Sequence, residues 1–215
     1  MTLTRYIVRI VFMKTKTTQS RVYGGVKANL REEDRRKKLI EAGLEAFGTK
    51  DYAKTNIKTI CKLAGLTESY FYESFRHKED LLCAVYRELI DEGQRDSVAV
   101  LEDSEGFPLK TASRALRMFY QRFQQDPRRV QIQLFEILGV SQNIDGEYQN
   151  AMRLLADMVR LFLCKVFPHI HEEILNRSMI PTGLAGSIIM IAHEWVLGGF
   201  IDLLDDIVSQ CMDFL

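Results

Sequence analysis

Residues 53–82, AKTNIKTICKLAGLTESYFYESFRHKEDLL, decide the fold. Two short apolar periodicities meet here: Ile57, Ile60, Cys61 and Ala64 repeat at i, i+3, i+4 and i+7, and Phe71 and Phe75 at i and i+4. Each predicts a helix with one buried face. Thr55 stands where the first helix needs an N-cap, Gly65 where it needs a left-handed stop, and Thr67 where a hydroxyl can cap the second. The joint is only Gly65-Leu66-Thr67. So short a turn makes the helices cross steeply, the geometry by which a second helix enters a major groove while the first lies over the backbone.

With Phe71 and Phe75 inward at 100° per residue, Ser69, Tyr70, Tyr72 and Glu73 face outward. Hydroxyls can bond base edges or phosphates, and a glutamate can accept from a cytosine amino group. A generic bundle helix fits less well, because aromatics at 70, 71, 72 and 75 cannot all be buried on one side.

The segment resembles the N-terminal domain of the TetR/AcrR family of bacterial transcription regulators over about residues 36–86. The correspondence runs through Phe47, Gly48, Tyr52, Thr55, Ile57, Ile60, Cys61 in the family's Ala position, Ala64-Gly65-Leu66-Thr67, Phe71-Tyr72, Phe75, Lys78-Glu79 and Leu81. Ser69 stands where the family often has Gly, and Asp51 where a Gly usually precedes the aromatic. The resemblance implies phosphate contacts by Thr55, Tyr72 and Lys78. The candidate DNA-binding set is Thr55, Asn56, Thr67, Glu68, Ser69, Tyr70, Tyr72, Glu73 and Lys78.

Charge divides along the same line. Residues 1–78 hold 17 Lys and Arg against 8 Asp and Glu, and the remainder holds 12 against 21, so a net charge of zero conceals a basic half and an acidic half. The basic half suits phosphates, and the acidic half helps orient the encounter. Residues 1–30 read as a flexible basic arm. Their apolar run is interrupted by Arg9 and falls short of a membrane span, and Met13 is an alternative start. Arg31 to Phe47 reads as the first helix, with Arg36, Ile40, Gly43, Leu44 and Phe47 on one side, Glu32-Glu33-Asp34 at its opening, and Arg31, Arg35 and Lys38 on the other face near DNA backbone.

Past Lys78 the pattern stays helical, with spans expected at 109–125, 127–138, 145–167 and 181–212 and no strand signal. The fold class is therefore all-α: a three-helix helix-turn-helix DNA-binding domain at 31–78 and a helical effector-binding and dimerisation domain at 79–215. Helices 145–167 and 181–212 are apolar around most of their circumference, so a second copy is expected to cover them in a homodimer. A membrane span near 184–204 is disfavoured by His193 and Glu194. The resemblance implies a small-molecule effector in this domain, for which Phe119, Arg122, Phe123, Phe135, Met158, His193, Glu194 and Trp195 are candidate contacts.

Together these readings give a cytoplasmic regulator, a repressor released from a pseudo-palindromic double-stranded operator by its effector. Two alternatives are weaker. One is a helical protein-interaction module without specific DNA binding. The other is a metal-dependent enzyme using His169 and His171, whose i, i+2 spacing does not place them on one helix face. No catalytic residue, cofactor or resident metal is expected. Cys61, Cys83, Cys164 and Cys211 lack Cys-x-x-Cys spacing and read as reduced core residues.

Overall fold

The computed structural model describes residues 26–102, 108–168 and 172–213, and among them the chain is helical with no strand. Ten α-helices follow in order: α1 Val26–Lys50, α2 Ile57–Ala64, α3 Glu68–Ser74, α4 Lys78–Glu102, α5 Pro108–Gln125, α6 Pro127–Val130, α7 Gln142–Val166, α8 Glu172–Arg177, α9 Ile180–Leu197 and α10 Leu204–Asp213, with a π-helical stretch at Gln131–Glu136. Two compact units divide within α4, at residues 1–85 and 86–215. The arm expected at 1–30 lies mostly outside the described residues.

In the first unit α1 carries Leu39, Ala42, Ala46 and Phe47 inward. The buried stripe is centred on these four residues, so Ile40 and Leu44 flank it half-buried instead of filling it. Helix α1 starts at Val26, which moves the acidic run 32–34 out of its first turn. Those carboxylates therefore do not serve the helix terminus. Gly43 admits α4: a Cβ there would stand 2.9 Å from Val85 Cγ2 and 3.2 Å from two Leu81 carbons.

The local chemistry of α2 differs from expectation at its start and agrees at its end. Asn56 is the N-cap, its Oδ1 accepting from Thr59 N at 2.9 Å. Thr55 is instead buried, and its hydroxyl donates between Asp51 O at 2.9 Å and Ala46 O at 3.2 Å. Gly65 has φ 65° and ψ 31°, a conformation that an L side chain resists, and Leu66 N closes the motif on Cys61 O at 2.9 Å. Thr67 occupies the N-cap place of α3 by its backbone, without a side-chain capping bond.

In the second unit Tyr120 of α5 is fully buried, donating to Ile188 O at 2.9 Å and lying 3.0 Å from Cys211 Sγ. It thereby ties α5 to α9 and α10. The span expected as one helix at 181–212 is broken because Gly199 and Phe200 both adopt left-handed φ, 71° and 60°, and turn the chain back. Trp195 Nε1 fixes the bend by donating to Asp202 O at 2.9 Å. Helix α7 begins before Gly146, its N-cap Ser141 accepting from Ile144 N. The 127–138 span changes from α to π after Val130.

Adding a methyl at Gly43 forces Val85 and Leu81 aside, so Gly43→Ala should lower the stability of the head by about 1–3 kcal/mol. Urea unfolding followed by circular dichroism would show it as a lower midpoint with unchanged slope.

Candidate nucleic-acid interface and effector cavity

Helix α3 separates its residues cleanly. Phe71 is 0% exposed and Phe75 4%, while Tyr72 is 56% exposed and Tyr70 38%. Ser69 and Glu73 share that outer side, and Thr67 and Glu68 stand exposed at its start. The outer face is braced from α1: Arg35 Nη2 donates to Glu73 Oε2 at 3.1 Å, and its guanidinium lies 4.6 Å from the centroid of the Tyr70 ring. Arg36 likewise donates to Ser74 O at 3.1 Å and covers Phe75. Arg35, expected to point towards backbone phosphates, is instead half-buried against α3, because Tyr70 and Glu73 offer it a ring and a carboxylate together. Nothing in the periodicity of either helix could pair residues this far apart in sequence.

Two members of the expected set hold the interface rather than project from it. Lys78 Nζ donates to Tyr52 O at 2.6 Å and Thr55 O at 2.7 Å, and sits 4.0 Å from the Tyr52 ring centroid. Burial pushes its ammonium below the usual lysine range. Thr55, with its hydroxyl committed to two carbonyls inside the head, is closed to a phosphate. Lys78 and Thr55 thus fix the joint between α1 and α2, while exposed Asn56 caps α2.

The second unit contains a cavity of about 100 Å³ walled mainly by apolar side chains of α4, α5 and α7, among them Leu89, Ile90, Phe119, Phe123, Met152, Leu155 and Met158. Gln94, Asp96, Arg122 and Gln133 supply its polar edge. Arg122 donates to Glu92 Oε2 at 3.1 Å and pairs with Asp96. Burial, with Arg129 nearby, holds its guanidinium below the usual arginine range. A further cavity of about 90 Å³ lies between α5 and α7.

The family model for bacterial regulatory proteins of the tetR family matches residues 39–85. That match covers the helix-turn-helix head, from within α1 into α4. The fold of the chain is similar to that of several solved regulators. The fatty acid degradation regulator FadR from Bacillus halodurans superposes with a TM-score of 0.72 at 14% identity, over 83% of this chain and 93% of that one. FadR from Bacillus subtilis, solved in complex with stearoyl-CoA, gives 0.67 at 13% identity, over 82% and 95%. A TetR-family regulator from Bordetella parapertussis gives 0.62 at 18%, over 84% and 93%.

The candidate effector residues separate into two groups. Phe119, Arg122, Phe123 and Met158 line the cavity. Phe135, His193, Glu194 and Trp195 are not part of its wall. Phe135 packs on His193 with 5.0 Å between ring centroids, Glu194 is exposed beside His193, and Trp195 is core against Tyr120 and Phe200. Helix α9 presents Ile189 to the cavity, and an all-round apolar helix gives no sequence signal for which side that is. Residues the reading missed, such as Leu89, Ile90 and Asp96, lie on α4, whose apolar spacing was legible but whose inner neighbour was not. Burial raises the Cys61 and Cys211 thiols above their usual range, against the thiolate that redox sensing needs. His169 and His171 lie outside the described residues, and no cluster of three metal-ligating side chains occurs among the described ones.

Replacing Lys78 by Met keeps the stem packed on Tyr52 but leaves the Tyr52 and Thr55 carbonyls without their donor. Lys78→Met should cost about 1–2 kcal/mol of head stability and speed amide exchange around residues 52–59. An unchanged unfolding midpoint and exchange pattern would show that the clamp is unimportant.

Proposed function

We propose that this chain is a TetR-family transcriptional regulator that binds DNA sequence-specifically as a homodimer and represses until a small, largely apolar effector enters the α4–α5–α7 cavity. The observation that carries the DNA reading is the division of α3. Two phenylalanines are buried, and a serine, two tyrosines and a glutamate are presented outward, in a unit that also exposes Lys50, Lys54, Lys58 and Lys62. Tyr70 and Glu73, braced by Arg35, would read base edges. Tyr72 and the lysines would engage phosphates, with Thr55 and Lys78 holding the joint. Such a protein acts where the chromosome is, in the cytoplasm.

The dimer reading is supported by α9, a helix long and apolar enough by length and composition to cross a membrane, of which only 28% is buried within one chain. Met190 and Leu197 leave large apolar side chains in water, with His193 and Glu194 between them. A second copy placing its own α7 and α9 there covers this face without a bilayer. The operator would then be a pseudo-palindrome with half-sites about 34–36 Å apart, or a multiple of that spacing. The effector must bind one head separation better than the other to shift the balance. The cavity's apolar walls and the stearoyl-CoA bound to the Bacillus subtilis FadR neighbour support an effector with a substantial apolar part.

Selection of bound fragments from genomic DNA at stated salt should return one palindromic motif. On that motif Tyr72→Phe should weaken specific and random DNA alike, whereas Tyr70→Ala and Glu73→Ala should change the preferred bases. Salt-sensitive binding with no enriched motif would instead favour a protein-interaction role for α9.

A further inference from the structure

The two cavities of the second unit adjoin, with Ser97, Phe119, Leu155 and Met158 lining both. Their far ends differ. One reaches Arg122, Asp96, Gln94 and Gln133. The other is walled by Ala112, Ala115, Leu116, Val159, Phe162 and Ile188, with Thr111 beside them. A ligand matching both ends is long, apolar along most of its length and polar at one tip.

The charges at the polar end balance, but they are not held equally. Glu92 is gripped twice, by Arg122 Nη2 at 3.1 Å and by Arg129 Nη1 at 2.7 Å. Asp96 pairs with Arg122 Nη1, and its side chain is 51% exposed against 35% for Glu92. An exposed carboxylate returns to water at little cost. Arg122 itself is only 18% exposed, so whatever replaces Asp96 meets a partly desolvated guanidinium. A charged acceptor forms a bond there roughly twice as strong as a neutral one.

We propose that the two adjoining cavities act as one two-lobed site that takes a single-chain amphiphile with an acidic head. The head's carboxylate takes the place of Asp96 on Arg122, while Arg129 keeps Glu92 where it is. The alkyl tail runs past Phe119 and Met158 into the lobe walled by Ala115 and Val159. This assignment rests on the effector reading above and adds the head-group chemistry and the direction of the chain. Arg122 discriminates acid from alcohol, because an alcohol would have to displace a charged partner with a neutral one. The second lobe discriminates long chains from short ones by about fourfold per methylene, the equivalent of ~0.8 kcal/mol per buried CH₂.

The test is displacement of a fluorescent alkyl probe from the full-length protein by three competitors: a saturated fatty acid of about sixteen carbons, the alcohol of equal length, and an acid of about eight carbons. The wild-type protein should prefer the long acid to both others. Asp96→Asn removes the internal competitor and should raise the acid-to-alcohol preference several-fold. Arg122→Gln should abolish that preference. Ala115→Phe, or Val159→Phe from the opposite wall should the first not fold, should lower the long-to-short preference by at least about tenfold. A merely structural role for Asp96 would weaken acid and alcohol together. Equal binding of acid and alcohol by the wild type, or a fall in acid preference in Asp96→Asn, overturns the head-group assignment. An unchanged chain-length preference in both wall variants overturns the tail assignment. Failure of the wild type to bind the probe at all would remove the effector reading itself; binding of every competitor without discrimination would leave that reading intact.

Discussion

Burial of Phe71 is the constraint on which the head depends. The ring has no contact with water, yet the residues on both sides of it, Tyr70 and Tyr72, are exposed. A helix can satisfy that alternation only if it lies with one narrow edge against its neighbours, and α3 does so on α1 and α2. The edge is held at one end by the left-handed Gly65 joint and at the other by Phe75, whose N–H donates to Phe71 O at 2.8 Å. Everything proposed for DNA recognition follows from this orientation. Rotating α3 by one residue would bury a tyrosine hydroxyl without a partner and expose a phenyl ring, both unfavourable.

The second unit is organised by a polar group rather than by apolar size. The Tyr120 hydroxyl, far inside, meets a backbone carbonyl of α9 and the Cys211 thiol of α10. Burial, with the Cys211 bond adding, pushes its phenol far above the usual tyrosine range, so it remains a donor under all ordinary conditions. Directional bonds of this kind fix the register of three helices whose side chains would otherwise slide over one another. The cavities lie along the same α5, and Leu116, Phe119 and Phe123, which line them, neighbour Tyr120 on that helix, so its ligand-facing and core-facing residues are set together.

Much of the head was legible because its signals are local. Gly65 marks a backbone conformation, the spacing of Phe71 and Phe75 marks a face, and both are contained within a few residues. Asn56 rather than Thr55 as cap was a near miss, since the two hydrogen-bonding side chains are adjacent and only the tertiary carbonyl of Ala46 decides which turns inward. The Arg35 brace and the Lys78 clamp were illegible, because each joins residues far apart in sequence through geometry that no period encodes. In the second unit the helices were readable as apolar spans, and the breaks at Asp126-Pro127 and ahead of Pro181 fall where expected, but the reversal after α9 was not readable. Gly198-Gly199 could kink or merely permit close packing, and only the left-handed Phe200 that follows makes it a reversal. The pocket wall was half readable for the related reason that α9 is apolar on every side.

The reversal after α9 also gives the molecule a natural optical reporter. The chain has a single tryptophan. Trp195 lies edge-on to Tyr120 at 5.9 Å and to Phe200 at 5.0 Å, with its indole N–H held by Asp202 O. All tryptophan emission therefore comes from one buried point where α9 turns towards α10. Its wavelength and polarisation describe the state of that bend alone, undiluted by signals from the head.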